Sequence, residues 1–279
     1  MREYACAKLN LTLEVGEKRG DGYHELRSVM TAASLCDVVG VEKAEAVTLV
    51  CDRADLPTDG RNLAVRAAET FFAVTGIDGG CQIRLEKHIP SEAGLGGGSS
   101  DAAAVLRALR KLYAPEMPTE RLEAIGAKVG SDVPYCVRRG TVLCEGRGEI
   151  LTALPDMPKC RYVIVKPQEA FSTGKMYGEI DERKAKSVST TDLLIGELER
   201  GNLAEIAEHL SNTFLAVVPE TSEVFAIQDA LTVQYGALNA MMSGSGSAVF
   251  GIFETEDAAR LACEGIQGNG RQVFLAKSV

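Results

Sequence analysis

Little in this chain points to a metal centre, a nucleic-acid partner or a membrane. Its three histidines lie far apart, and none of its eight cysteines falls in a Cys-x-x-Cys pair, so no zinc-binding spacing is present. Lysine and arginine number 30 against 39 aspartates and glutamates, a net charge of −9, whereas a nucleic-acid binder normally shows a basic face. The apolar runs are too short to span a bilayer. The opening Met1-Arg2-Glu3-Tyr4-Ala5-Cys6 enters a strand pattern with no apolar signal region, so a cytoplasmic protein with reduced thiols is expected. Three common phosphate- or nucleophile-bearing signatures are missing as well. No Gly-Lys-Ser/Thr closes a Walker A loop, and no Gly-x-Ser-x-Gly forms a nucleophile elbow. No glycine fingerprint follows the first strand, as a dinucleotide fold would require.

What is present is concentrated between residues 89 and 101. Ile89-Pro90-Ser91-Glu92-Ala93-Gly94-Leu95-Gly96-Gly97-Gly98-Ser99-Ser100-Asp101 places four glycines within five residues. Upstream, Cys81 to Lys87 alternates like a strand; downstream, Ala102, Val105, Leu106, Leu109, Leu112 and Tyr113 recur at helical spacing. A glycine loop between a strand and a helix start lets several backbone N–H groups converge, and the helix adds unpaired donors and a positive dipole end. That is a phosphate cradle. Capping by Ser99 or Ser100 would need one such residue and one glycine, not this many. An anionic ligand on an acidic protein must be held by local donors of this kind.

The 279 residues, 46% apolar and 25% charged, suit one large or two moderate soluble domains. Strands are expected over residues 4–16 and 24–51, a helix over 62–74, a strand near 81–88, helices over 100–113 and 119–128, and strands near 140–145. Leu154-Pro155-Asp156-Met157-Pro158 marks the boundary between a domain 1–155 and a domain 156–279. Beyond it come a strand (161–166), a polar stretch (172–191), helices (192–211 and 219–230), two strands (237–242 and 247–253), a helix (255–267) and a strand (271–277). That order suits a ferredoxin-like α/β sandwich.

Four smaller features stand out, each with an ordinary structural reading beside it. Lys8 and Asn10 share one face of the first strand, as a solvated sheet face would also require. Tyr23 and His24 follow the hairpin turn Gly20-Asp21-Gly22; a ring beside an imidazole can bracket a planar heterocycle, or simply decorate a surface hairpin. Asp132 sits on the stiff turn Gly130-Ser131-Asp132-Val133-Pro134, where aspartate is commonly a turn former. Ser243-Gly244-Ser245-Gly246-Ser247 is a second glycine loop, a turn signal when taken alone.

Taken in order, Ala7-Lys8-Leu9-Asn10-Leu11, Pro90 to Ser100 and Ser243 to Ser247 resemble the three motifs of the GHMP kinases, a family of ATP-dependent small-molecule kinases. Asp21-Gly22-Tyr23-His24-Glu25-Leu26 and Gly130 to Pro134 resemble the members that act on a cytidine-diphosphate-linked sugar alcohol. The resemblance runs over nearly the whole chain. It implies an α+β, two-domain fold with a mixed N-terminal domain, a ferredoxin-like C-terminal domain and an active site in the cleft between them. It also implies ATP with Mg²⁺, a cytidylyl substrate, no nucleic-acid or membrane partner, and a monomer or weak homodimer. By the same resemblance Asp132 draws the proton from the substrate hydroxyl and Lys8 neutralises charge beside it. Pro90, Ser91, Glu92, Ala93, Gly94, Leu95, Gly96, Gly97, Gly98, Ser99 and Ser100 hold ATP, with Asn62 near the adenine. Asn10, Tyr23, His24, Thr173 and Tyr177 hold the substrate. The Mg²⁺ ligands are left open. Glu92 departs from the small or apolar residues usual in such a loop; it must point outward or help bind the metal. Other GHMP kinases acting on mevalonate, homoserine or a sugar, and a non-catalytic nucleotide-binding regulator, are the alternatives.

Overall fold

The computed structural model describes Met1–Val279. In chain order the elements are β1 (Arg2–Asn10), β2 (Thr12–Lys18), β3 (His24–Ala44), β4 (Thr48–Cys51), α1 (Leu63–Thr75), β5 (Gly80–Glu86), α2 (Gly97–Tyr113), α3 (Thr119–Gly126), α4 (Val133–Arg138), β6 (Val142–Gly146) and β7 (Ile150–Ala153). There follow β8 (Arg161–Lys166), α5 (Thr173–Arg183), α6 (Thr191–Arg200), α7 (Leu203–Glu208), β9 (Ser211–Asn212), α8 (Glu223–Asp229), β10 (Asn239–Met242), β11 (Val249–Phe253), α9 (Glu256–Gly265) and β12 (Gln272–Lys277). They pack into two compact units. One comprises Met1–Ala7, Cys36–Ile89 and Gly96–Arg139; the other comprises Lys8–Leu35, Pro90–Leu95 and Gly140–Val279. The units therefore do not follow a single cut of the chain, because β1 and β3 each run from one into the other.

In the first unit the C-terminal part of β3 pairs antiparallel with β5, Val38 opposite Glu86 through Ala44 opposite Gly80, and β4 pairs parallel with β5. The alternation expected around residue 81 is real: Cys81, Ile83 and Leu85 are buried, as period-2 side chains on one sheet face must be. Helix α1 starts on Asn62, whose Oδ1 accepts from Ala64 N at 3.0 Å, and ends on Gly76 at φ 68°. Helix α2 is not the one-faced helix that its apolar spacing suggests. Every residue from Ser100 to Leu109 is buried, Asp101 and Arg107 included, because α1 packs on one side of it and α3 and α4 on others. Cys6 and Cys36 are joined in a disulfide, against the expectation of reduced thiols; they lie on β1 and β3, which pair and so bring the two side chains together.

In the second unit the start of β3 pairs antiparallel with β2 and with β6, and β6 with β7. Strands β10, β11, β8 and β12, in that order, form a fully antiparallel sheet. Helices α8 and α9 pack on it, with Val163, Val165, Val224, Ile227, Leu231, Val249, Ala259 and Ala262 in the shared core. Strand–helix–strand–strand–helix–strand with this order is the ferredoxin-like sandwich expected from the sequence. Ser222 and Thr255 cap α8 and α9 by accepting from Val224 N and Ala258 N.

Several local expectations are corrected. The first strand is broken at Leu11 into β1 and β2, and 24–51 into β3 and β4. The polar stretch 172–191 contains α5, whose Met176 and Ile180 alone are buried. The helix expected over 192–211 is two helices, divided at Gly201 with φ 68°.

Candidate active site

Three segments marked by the sequence meet within the second unit. Lys8 N donates to Leu95 O at 2.9 Å, and Ala248 N donates to Ala93 O at 3.1 Å. Ser243 Oγ donates to Gly94 O at 3.0 Å and lies 3.4 Å from Asn10 N. Gly94 has φ 73°, and a Cβ built on it would fall 2.0 Å from Ser243 O; no side chain fits between these two backbones. Lys8 and Asn10 do project the same way, since Lys8 Nζ donates to Asn10 Oδ1 at 2.5 Å. They are not a wet sheet face. Lys8 is 4% exposed and Asn10 1%, and Asn10 Nδ2 donates on to Ser28 Oγ at 2.8 Å. The ammonium lies under the second glycine loop, 3.0 Å from where a Cβ on Gly244 would stand. That loop is in turn held by α5 and β9: Thr173 Oγ1 pairs with Ser245 Oγ at 2.8 Å, and Asn212 Nδ2 donates to Met242 O and Gly244 O.

A second cluster in the same unit surrounds His24. Its ring stacks on Tyr177, centroids 4.9 Å apart and planes 15° off parallel, and Tyr177 sits one helical turn after Thr173 on α5. His24 Nε2 pairs with Asp181 Oδ1 at 2.7 Å, and Lys18 Nζ donates to the other oxygen of Asp181 at 3.0 Å. The hydrogen bonds from His24 and Lys18 hold the Asp181 carboxyl below the usual carboxylate range. Tyr23 is exposed, with the Arg147 guanidinium 5.1 Å over its ring. His24 is itself buried, 7% exposed. Glu92 is exposed at φ 51°. Burial lowers the pKa of the Lys166 ammonium, while the fields of Glu92 and Glu169 partly restore it.

The first unit carries the rest. Helix α2 begins at Gly97 with Gly96 at φ 67° as its cap residue, and no side chain caps it. Ser99 and Ser100 are thus inside the first turn, not capping residues, and no side chain caps the opening N–H groups. Ser100 Oγ donates to Cys6 O at 2.5 Å. Gly98 faces Leu63, 3.4 Å from its would-be Cβ, which sets the start of α1 and Asn62 beside the start of α2. Asn62 is half-buried and also donates to Pro57 O at 2.8 Å. Asp132 stands half-buried immediately before α4, and Cys136 on that helix accepts from Ser100 Oγ at 3.3 Å. No group of three or more His, Cys, Asp or Glu side chains is arranged to hold a metal ion. A Mg²⁺ that arrives on a triphosphate needs no such cage, since it keeps waters and phosphate oxygens as ligands. No helix is long and apolar enough to cross a membrane.

Asp181 and Asn212 were not singled out from the sequence. Asn212 carried a signal, as an Asn that caps the turn Thr213–Val217; Asp181 carried none, being 157 residues from His24.

A glycine loop opening an uncapped helix, a lysine held beneath a second glycine loop, and a ferredoxin-like sandwich match one class of protein. The models "GHMP kinases N terminal domain" and "GHMP kinases C terminal" match residues 62–140 and 194–272, and the chain belongs to the GHMP kinase family. It is 39% identical over 273 residues to 4-diphosphocytidyl-2-C-methyl-D-erythritol kinase of Caldicellulosiruptor saccharolyticus, covering 97% of this chain and 94% of that one. It is 36% identical to the Clostridium botulinum enzyme of the same name over the full length of both. A crystal structure of 4-(cytidine 5'-diphospho)-2C-methyl-D-erythritol kinase superposes with a TM-score of 0.82 at 33% identity, covering 100% of this chain and 99% of the other. Homoserine kinase from Cytophaga hutchinsonii shares the fold, with a TM-score of 0.78 at 18% identity over 99% and 94% of the two chains.

Proposed function

We propose that this chain transfers the γ-phosphoryl group of ATP to the 2-hydroxyl of 4-diphosphocytidyl-2-C-methyl-D-erythritol. The observation that carries the reading is the meeting of Lys8 and Asn10 with Ala93–Leu95 and Ser243–Gly244 in one hydrogen-bonded network. Full-length relatives that bear this enzyme's name narrow the acceptor. The bond from the γ-phosphorus to the ADP oxygen breaks, a bond to the acceptor oxygen forms, and the hydroxyl proton passes to Asp132. Lys8 neutralises charge on the transferred group. Positioning and charge neutralisation of this kind carry most of phosphoryl transfer. Residues 90–100 hold the phosphates through backbone N–H groups and the α2 dipole, with Asn62 toward the adenine. Mg²⁺ bound to the ATP would screen its phosphate charge. His24, Tyr23 and Tyr177 take the cytosine, and Asn10 and Thr173 the erythritol side.

Incubation with ATP, Mg²⁺ and a panel of hydroxyl acceptors is the test. ADP should form with the cytidylyl compound and hardly at all with free methylerythritol, mevalonate or homoserine, because a site built to hydrogen-bond a base edge rejects ligands lacking one. Turnover of mevalonate or homoserine without turnover of the cytidylyl compound would overturn the reading. EDTA should abolish turnover.

A further inference from the structure

Outside the residues given a role above, one buried group of charges stands apart. Lys87 Nζ donates to Asp101 Oδ2 at 2.6 Å and to Asp37 Oδ2. The side chains are 6%, 3% and 0% exposed, respectively, for Lys87, Asp101 and Asp37. The other oxygen of Asp37 accepts from His88 N at 2.5 Å and Ile89 N at 2.8 Å. Lys87 N donates to Asp52 at 3.1 and 3.2 Å. Asp101 Oδ1, also buried, has no partner. A Cβ on Gly97 would stand 3.5 Å from Lys87 Nζ and 3.2 Å from Ile89 Cγ2, so the ammonium lies against the first turn of α2.

The placement in sequence matters more than the charge. Lys87, His88 and Ile89 directly precede Pro90, and Asp101 directly follows Ser100. The three side chains therefore join the two ends of the phosphate loop, and Asp37 on β3 fixes the incoming end to the sheet. Stability alone does not call for such a group. Replacing a buried ion pair with apolar side chains of similar volume is often neutral or stabilising, and here two carboxylates share one ammonium. Burial is the largest influence on Asp101, and with the neighbouring Asp37 it raises that carboxyl well above its ordinary value despite Lys87. Burial opposes the Lys87 charge too, but Asp101 and Asp37 override it and raise the ammonium. The cation is thus kept, and kept at the base of the loop.

We propose that Lys87, held by Asp37 and Asp101, is a positioning residue that sets the phosphate loop in its ATP-binding shape. The proposal rests on the ATP reading of residues 90–100. A loop displaced by even an ångström misaims its N–H donors, and a misplacement of that size can cost on the order of 10²-fold.

The test uses the full chain with Lys87→Met and Lys87→Met/Asp101→Asn, the double variant removing one of the two buried carboxyls that lose the ammonium, in case the single one does not fold. Hydrogen exchange is followed without nucleotide; ATP affinity is read by calorimetry and KM for each substrate by steady-state kinetics. Exchange over residues 88–101 should rise while that of the β10–β11–β8–β12 sheet stays as in the parent. The dissociation constant and KM for ATP should rise at least about tenfold, with KM for the cytidylyl acceptor changed by less than about twofold. Unchanged exchange in the loop, or a rise spread evenly over the chain, overturns the proposal, as does parental ATP affinity in a folded variant. Failure of the ATP reading looks different: the parent would bind no ATP, while the exchange arm would still report on the loop.

Discussion

The roles proposed for Asp132 and Lys8 differ chemically, and substitutions should separate them. Asp132→Asn keeps the shape of the side chain but cannot accept the hydroxyl proton. Turnover should fall about 10²–10⁴-fold, the usual contribution of a positioned base, while ATP binding by calorimetry persists. Retention of more than about a tenth of the activity would be far too small a loss for that role. Lys8→Ala should lower kcat more than it raises either KM, because charge on the transferred group is greatest in the transition state. A change confined to KM would reduce Lys8 to a binding residue. At this scale the sequence was informative about identity and silent about surroundings. Lys8 and Asn10 were visible as a same-face pair, but period-2 alternation cannot distinguish a wet face from a buried one, and only contacts with Ser28 and Ser243, 18 and 233 residues from Asn10, decide it. The Lys87, Asp37 and Asp101 group had no sequence signal, because charged residues inside apolar patterns read as exceptions until the fold brings them together.

Among the elements, the phosphate loop gives the sharpest expectation. Gly94→Ala adds a methyl group 2.0 Å from Ser243 O in a left-handed backbone. The conformation alone costs about 1–2 kcal/mol, and the clash must part the two glycine loops. The expected result is a lower melting temperature together with loss of ATP binding. Gly97→Val meets Ile89 and Lys87 less closely and should weaken ATP binding with folding intact; unchanged calorimetric affinity would make the loop a plain turn. The elements with strong periodicity or flanking punctuation were legible: β5, the loop, α2, β8, and the run from α8 to β12. Those that were missed lack it. Helix α4 has six residues and begins with Pro134 next to its first position, which reads as a turn although proline suits a helix start. Helix α5 has a stripe of two buried side chains.

For the molecule as a whole, stability should depend on pH through two carboxyls of opposite tendency. Burial would raise the Glu3 carboxyl, but hydrogen bonds from Lys111 and Arg107 outweigh it and lower it below 4.5. Its contribution is therefore present above that pH and lost as pH falls through the folded value. Glu3→Gln should also strand the buried Arg107, which burial and the neighbouring Arg139 already lower to about 10, at a cost on the order of 3 kcal/mol. Asp101 runs the other way. Its raised folded value means that the native state holds a proton which the unfolded chain releases near 3.8, so stability falls as pH rises from there to the folded value. Denaturant midpoints across pH should show that decline in the parent and not in Asp101→Asn; an equal slope in both would refute the assignment. The fold class was readable because it rests on element order and three motifs. The packing units were not, since strands that leave one unit for another break no local pattern.

The hydrogen bonds that join Ala93, Gly94 and Lys8 to the loop at Ser243–Ala248 also have a meaning in time. Lys8 leaves the ribosome 235 residues before Ser243. Strand β1 must wait for most of the chain to be made before its lysine is enclosed. Closure across such a separation is slow, because the entropy of a long loop is spent before the contacts form. A nascent chain halted before β10 would hold Lys8 and Asn10 in water, and the capacity to bind ATP should emerge late in synthesis, together with the second glycine loop.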